Sequence, residues 1–236
     1  MPEYDGRAAA DGPQRTVHRH QFVGVDVPLV AESAFPGYAE MRALTESLLQ
    51  ESAVLSVVPI PAERRLQIHI ENLAGHALPS GATADRQMWV QILVTDGTGK
   101  VVFESGTFDE NGDLRVDDPL RTTQPGTDPQ LILYTQHMYF DPSLEGLDGP
   151  RERVDFLWQP NQVEDHLIAT SATDAQSYDL SALGPGTYTA NVRLLFRSFP
   201  PHLLKRLEND AGLDPDVAGR VPIVEMEAAT MDVTLP

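Results

Sequence analysis

The strongest constraint on the fold is an alternation of apolar and polar residues that stops at a loop rich in glycine and proline. Leu66, Ile68 and Ile70 alternate with polar residues, and a period of two is typical of a strand with one buried face. The loop 72–81 follows, and its glycines and proline restrict the backbone to a few conformations. The nearly continuous apolar run at 88–95 then predicts a central strand. Residues 66–95 are therefore predicted to form a strand, a constrained loop and a second strand.

Further strands are predicted along the rest of the chain, separated by clusters of turn-forming residues. The segment Asp96-Gly97-Thr98-Gly99 predicts a hairpin turn, and Gly184-Pro185-Gly186 predicts another break. Additional strands are predicted at 100–103, 130–140, 154–158, 187–199 and 223–235. Many strands with few helices favour an all-β fold, namely an antiparallel β-sandwich of two sheets.

Two segments carry helical patterns. Apolar residues between Pro36 and Ser52 fall near a period of 3.6 residues, which predicts an amphipathic helix. The segment 200–207 predicts a short late helix between the last two strands. The predicted domains are an extended N-terminal arm with a histidine cluster at 1–35, a helix at 36–53 and a β-sandwich domain at 54–236.

Charge and the absence of cysteine exclude several classes of function. The 35 acidic and 17 basic residues give a net charge of −18, which argues against nucleic acid because phosphate binding depends on clustered Lys and Arg. The absence of cysteine excludes disulfides, cysteine-ligated metal sites and covalent haem attachment by this chain. No run of about eighteen apolar residues is present, so no membrane span is predicted. The N-terminal residues lack the order of a signal peptide, which leaves a cytoplasmic chain or a leader encoded upstream.

Histidine is the remaining residue type with an obvious chemical role. His18 and His20 are two positions apart and lie beside Phe22, so in an extended segment they face the same side. An imidazole with a free nitrogen is a good axial ligand for haem iron, or a ligand for zinc. His18 and His20 are therefore candidate ligands, and a hydrogen-bonded structural role is the alternative for any single histidine. His76 has a set position within the loop 72–81, but its chemistry stays open.

An acidic loop offers a second type of site. Asp109, Asn111 and Asp113 have the D-x-N-x-D spacing that can present oxygen atoms to calcium. An EF-hand would have glycine and glutamate where this chain has Leu114 and Leu120, so a polar hairpin loop is the competing interpretation.

Motifs for hydrolysis and nucleotide binding are absent. The chain contains no G-x-S-x-G, no H-E-x-x-H and no phosphate-binding glycine loop. Ser80 lies near His76 in sequence, but a hydrolase also needs an orienting carboxylate and an oxyanion hole, and neither can be assigned. A hydrolase is therefore the weakest functional interpretation.

Several separated segments together resemble the C-terminal region of multihaem c-type cytochromes. In that family the corresponding features are the M-P after a C-x-x-C-H motif, an H-x-F-x-G segment, a block with N, A-G-H, P-T-G, R and W, and a late strand ending in R-x-F-P. The resemblance covers essentially the whole chain in the same order. Its segments here are Met1-Pro2, His20-x-Phe22-x-Gly24, Asn72 with Ala74-Gly75-His76, Pro79-Ser80-Gly81, Arg86 and Trp89, Ser105-Gly106 with Asp109 to Gly112, and Arg193 to Pro201.

The resemblance implies a periplasmic or extracellular electron-transfer protein in which a haem-free sandwich packs on haem c that an upstream segment or a partner subunit carries. It implies His20 as an axial ligand, with His18 as its competitor. It gives His76 a position but no role, and orienting its loop by hydrogen bonds is preferred to ligating iron. Because the cysteines of the family are absent, it implies a fragment, a separate subunit or a degenerate paralogue. The alternative is a non-redox sandwich module that binds calcium, carbohydrate or protein. In both cases we expect no catalysis by this chain alone.

Overall fold

The computed structural model of the protein describes residues 3–18, 23–116, 127–154, 156 and 158–236. These residues form two antiparallel sheets that pack face to face, a small N-terminal hairpin and two α-helices. The helices are α1 (Tyr38–Gln50) and α2 (Pro201–Ala211). The strands are β1 (Glu3–Arg7), β2 (Gln14–His18), β3 (Ala53–Ile60), β4 (Arg65–Asn72), β5 (Gln87–Thr95), β6 (Val101–Ser105), β7 (Ile132–Phe140), β8 (Glu152–Arg153), β9 (Gln162–His166), β10 (Thr173–Asp179), β11 (Gly186–Arg197) and β12 (Val224–Leu235).

Strand β5 is the centre of the larger sheet. Its order is β12-β11-β5-β7-β8, and β6 and β9 pair in addition with β5 and β7. One edge of β5 pairs with β11. Two strands share the other edge: β7 pairs with Met88–Val90 and β6 pairs with Ile92–Thr95. The smaller sheet has the order β10-β4-β3.

The main core lies between the two sheets and follows the alternation read from the sequence. Leu66, Ile68 and Ile70 of β4 are all 0% exposed, and Val90 and Ile92 of β5 lie in the same cluster. Burial of these side chains removes apolar surface from water, which is the main favourable contribution to folding. The predicted all-β antiparallel sandwich is confirmed.

The outer face of β5 is buried as well. Trp89 and Leu114 are 0% exposed and Leu195 is 3% exposed, and the three form a second apolar cluster on this face. Because both faces of β5 are covered, its residues 88–94 are apolar except for Gln91 and do not alternate with polar residues.

Both predicted helices form. α1 lies within the predicted segment and packs against β12, and its buried Thr45 donates a hydrogen bond from Oγ1 to the carbonyl oxygen of Gly24 at 3.1 Å. α2 begins one residue after the predicted start and is longer than expected; it ends at Ala211, and Gly212 caps it with φ +70°. None of the helices in the described ranges is long and apolar enough to cross a membrane.

Two segments differ in detail from the sequence interpretation. The described part of the N-terminal arm is a hairpin in which Glu3 of β1 lies opposite His18 of β2. The strand predicted at 154–158 was wrong for its described residues, because the backbone N–H of Gln159 donates to the carbonyl oxygen of Phe156 at 2.9 Å and closes a turn. The predicted division at residues 35 and 53 stays a prediction.

Candidate functional site

The loop that joins β4 to β5, here called the corner loop (residues 73–86), is fixed by a buried asparagine. Asn72 ends β4 and is 1% exposed. Its Nδ2 lies 2.8 Å from the carbonyl oxygen of His76 and 3.0 Å and 3.1 Å from those of Ile168 and Ala169. One amide therefore ties the corner loop to the chain that leads into β10, and such local side-chain bonds are typical of Asn at a turn.

Arg86 fixes the other end of the corner loop. One of its nitrogens donates to the carbonyl oxygen of Ser80, and the other donates to Asp26 Oδ2 at 2.8 Å. Gly81 has φ +80°, and a Cβ at this position would collide with the Arg86 guanidinium. The arginine thus ties the corner loop to the segment 23–27, which follows the N-terminal histidines in the chain.

His76 lies at the surface of the corner loop. Its Nδ1 is 3.1 Å from the carbonyl oxygen of Ala77. Because a carbonyl oxygen only accepts hydrogen bonds, this contact is satisfied when the proton is on Nδ1, which leaves a lone pair on Nε2. The contact orients the ring as outer hydrogen bonds orient metal-ligating imidazoles. His76 Nε2 makes no hydrogen bond to any residue that the structure describes.

An apolar cavity of about 70 Å³, open to solvent at its mouth, lies beside His76. Val25, Leu48 and Phe196 contribute to it from the 23–27 segment, from α1 and from β11. Leu48, which lines the cavity, is 41% exposed. Leu73 lies next to the lining residue Ser52, because its N–H donates to the Ser52 carbonyl oxygen at 2.9 Å, and it is 54% exposed. Apolar side chains around an open cavity are typical of a surface that another molecule covers.

The two N-terminal histidines are placed only in part. His18 ends β2 with an exposed side chain, and its Nε2 lies 3.6 Å from Glu3 Oε1. His20 lies outside the described residues. The chain re-enters the described part at Val23, and Val25 lines the apolar cavity. The role of His18 and His20 as ligands stays a prediction.

A second group of residues from the motif segments meets on the outer face of β5, and we call it the tryptophan–arginine cluster (Trp89, Gly106, Phe108 and Arg197). The indole N–H of Trp89 donates to the Gly106 carbonyl oxygen at 3.2 Å. The Arg197 guanidinium lies 5.4 Å from the ring centre of Trp89 and 5.3 Å from that of Phe108. It also donates to the Gly112 carbonyl oxygen at 2.7 Å. These contacts have a structural purpose, because Arg197 is 3% exposed.

The acidic loop directs its carboxylates toward protein donors. Asp109 Oδ1 accepts from the backbone N–H groups of Asn111 at 2.9 Å and Asp113 at 2.8 Å. Asp113 is 5% exposed, and its Oδ1 accepts from the N–H of His202 at 3.2 Å and lies 4.0 Å from an Arg197 nitrogen. This geometry favours the polar hairpin interpretation, and the calcium site stays a prediction.

Sequence reasoning missed a third group, the histidine–glutamate cluster (His137, Glu164 and His166). One ligand atom from each residue lies within 4.8 Å of the others. Glu164 Oε1 accepts from Arg151 at 2.6 Å, and this guanidinium lowers the pKa of the Glu164 carboxyl below its ordinary value. Glu164 and His166 are two positions apart, a spacing that puts both on one face of a strand. This could have indicated the cluster, but no strand was predicted at these residues.

Comparison with known proteins gives a likeness of fold. No family model matches the chain, and no curated protein matches it. A penta-haem cytochrome c552 from Thermochromatium tepidum is similar in structure, with a TM-score of 0.51 and 18% identity over 80% of this chain. The chain spans 41% of that cytochrome. At this identity the likeness establishes a shared fold and nothing further.

A second solved structure, of a protein assigned as ApaA from Bordetella pertussis, is 11% identical over 78% of this chain and 94% of its own, with a TM-score of 0.22. That score is too low to support an argument. The fold of this chain is thus similar to part of a multihaem cytochrome.

Proposed function

We propose that this chain is the haem-free sandwich domain or subunit of a multihaem c-type cytochrome that transfers electrons in the periplasm or outside the cell. In this role it packs on the haem-bearing region and supplies an axial histidine. The observation that carries the proposal is the likeness of 80% of the chain to part of a penta-haem cytochrome. The ordered motif segments along the chain support the same assignment.

The corner loop has the features that suit contact with a haem carried by another segment. The chain has no cysteine, so covalent attachment must be elsewhere. The apolar cavity can exclude water from a macrocycle edge, and the Nδ1 contact of His76 leaves Nε2 for ligation. A bound haem supplies one-electron transfer, and its potential depends on ligand identity and burial.

Three histidines compete for the axial position. The resemblance assigns it to His20, with His18 as the alternative. His76 is the third and lower-ranked candidate from the sequence, and its surface exposure, its Nδ1 contact with the Ala77 carbonyl oxygen and the neighbouring apolar cavity support it. His69 of β4 pairs opposite Ser56 and Ala175 within the smaller sheet and serves as a control.

The axial ligand is tested on the complex of this chain with its haem-bearing region. We expect His20→Ala, His18→Ala or His76→Ala to convert the spectrum of one haem from low spin to high spin and to shift its reduction potential. His69→Ala should change neither quantity. Visible absorption and potentiometric titration measure both. Unchanged bands in all three variants would contradict axial ligation by this chain.

Packing is tested separately from ligation. We expect Leu48→Lys and Leu73→Asp to weaken association with the haem-bearing region at least about ten-fold, because a charge would be buried at the contact. Leu144→Lys, at an exposed leucine (62%) in the segment after β7, is the matched control. Equal affinities for all three variants, or no association of the parent chain, would contradict the packing proposal.

A further inference from the structure

The pairing of β7 with β9 brings three metal-ligating side chains to one face of the sheet. His137 of β7 lies directly opposite Glu164 of β9, and His166 lies opposite Thr135. Residues two apart on a strand share a face, so Glu164 and His166 lie side by side on β9. The ring centres of His137 and His166 are 5.2 Å apart. Strand register, rather than a flexible loop, therefore sets the spacing of the three groups.

From this geometry we propose that His137, Glu164 and His166 bind a divalent transition-metal ion, and that this ion is zinc. Two imidazole nitrogens and one carboxylate oxygen are donors that suit zinc, whereas calcium and magnesium prefer oxygen ligands. Three protein ligands leave one position for water. The proposal does not depend on the haem partner.

The distances are compatible with closure around an ion. The three ligand atoms lie within 4.8 Å of one another. Tetrahedral zinc with bonds near 2.0–2.1 Å separates its ligand atoms by roughly 3.3 Å. His166 is exposed and the other two side chains are half-buried, so rotation about side-chain bonds can close the difference without moving the strands.

Arg151 holds the carboxylate in place for this role. It donates to Glu164 Oε1 at 2.6 Å, and its guanidinium lies 3.5 Å from the ring centre of Tyr139, which fixes the arginine itself. Because Arg151 holds Oε1, the orientation of the whole Glu164 carboxylate is set, and Oε2 remains to bind the metal. Outer hydrogen bonds of this kind orient the ligands of metal sites. A surface ion pair between Arg151 and Glu164 is the competing explanation, and it requires neither histidine.

Metal binding is tested by calorimetry on the metal-stripped 236-residue chain titrated with zinc chloride. We expect one zinc ion per chain, bound with unchanged affinity in an excess of calcium chloride. His137→Ala, His166→Ala and Glu164→Gln should each lower the affinity at least about ten-fold. His69→Ala, an imidazole on another strand, should leave it unchanged.

A second measurement keeps the test valid if one variant folds poorly. Cobalt(II) in place of zinc should give intense visible bands in the parent chain, and His166→Asn, a change at an exposed position, should remove them. Circular dichroism checks the fold of each variant. The proposal would be overturned if His137→Ala and His166→Ala bound zinc as tightly as the parent chain. It would also be overturned if His69→Ala lost as much zinc affinity as they do, because other imidazoles would then bind the ion.

Discussion

The corner loop and the tryptophan–arginine cluster are both built from residues of the motif segments, but one exposes a histidine and the other buries its side chains. Trp89 and Arg197 are buried on the outer face of β5, and their polar groups bond to backbone carbonyl oxygens. At the two ends of the corner loop, Asn72 and Arg86 also bond to backbone carbonyls, but they hold His76 at the surface beside an apolar cavity. Most motif residues thus hold the strands and loops of the sandwich together, and we expect chemistry where such a contact leaves an imidazole exposed.

The largest expected effect is the loss of Arg197. Its Nε donates to Gln87 Oε1 and its terminal nitrogen to the Gly112 carbonyl oxygen, both at 2.7 Å, and it lies close to the buried carboxylate of Asp113. Arg197→Leu leaves these groups buried without their cation, so we expect the free energy of unfolding to fall by about 3–5 kcal/mol. Urea denaturation measures it.

The matched control is an arginine on the surface. Arg42 pairs with Glu46 on α1 at 2.8 Å, with both side chains at least 36% exposed. Arg42→Ala should cost about 0.5 kcal/mol or less, because water screens an exposed pair. Similar losses of unfolding free energy for Arg197→Leu and Arg42→Ala would mean that the buried tryptophan–arginine cluster does not stabilise the fold.

One glycine in each region has a positive φ, but the two differ in what surrounds them. Gly106 has φ +69°, and a Cβ at this position would collide with the backbone carbonyl oxygen of Val90. Gly81 in the corner loop has φ +80°, but its Cβ would meet the flexible end of Arg86. We expect Gly106→Ala to cost about 3 kcal/mol and Gly81→Ala about 1–2 kcal/mol, because a backbone atom cannot move aside as a side chain can.

Thermal or urea unfolding followed by tryptophan fluorescence measures both glycine variants. The chain has two tryptophans, and Trp158, which is 80% exposed, can be replaced by Phe so that the buried Trp89 gives the signal. A larger loss of unfolding free energy for Gly81→Ala than for Gly106→Ala would contradict the expectation that the cluster around Trp89 tolerates change less than the corner loop does.

The sequence was sufficient to predict the sandwich but not the grouping of its motif residues. Alternation at Leu66, Ile68 and Ile70 and the apolar run of β5 identify strands, since each pattern is local. The contact of Arg197 with Trp89 joins residues far apart in the chain, and only strand pairing brings them together.

The histidine–glutamate cluster was unpredictable for a related reason. β9 is a short polar strand, Gln162–His166, with no apolar alternation to identify it. Its register with β7 decides that Glu164 meets His137, and a shift of one residue would place the two side chains on opposite faces.

Asn72, which anchors the corner loop from the end of β4, is expected to give the next largest effect. Asn72→Ala removes the donor that faces the carbonyl oxygens of His76, Ile168 and Ala169. Because the side chain is 1% exposed, we expect a loss of about 2 kcal/mol in unfolding free energy. NMR spectra of the His76 imidazole should also broaden or shift. A stable variant with an unchanged His76 signal would contradict the role of Asn72.

The smallest expected effect on stability belongs to His76, and it separates the two regions most clearly. The His76 side chain is exposed, and its one hydrogen bond among the described residues goes to the neighbouring Ala77, so His76→Ala should change the free energy of unfolding by less than about 0.5 kcal/mol. The same variant should change the complex with the haem-bearing region if this ring is the axial ligand. Urea denaturation of the free chain and visible spectra of the complex give the two readouts independently. A large loss of stability in the free chain would place His76 with Trp89 and Arg197 as part of the structure, because an imidazole kept for a partner contributes little to the fold that presents it.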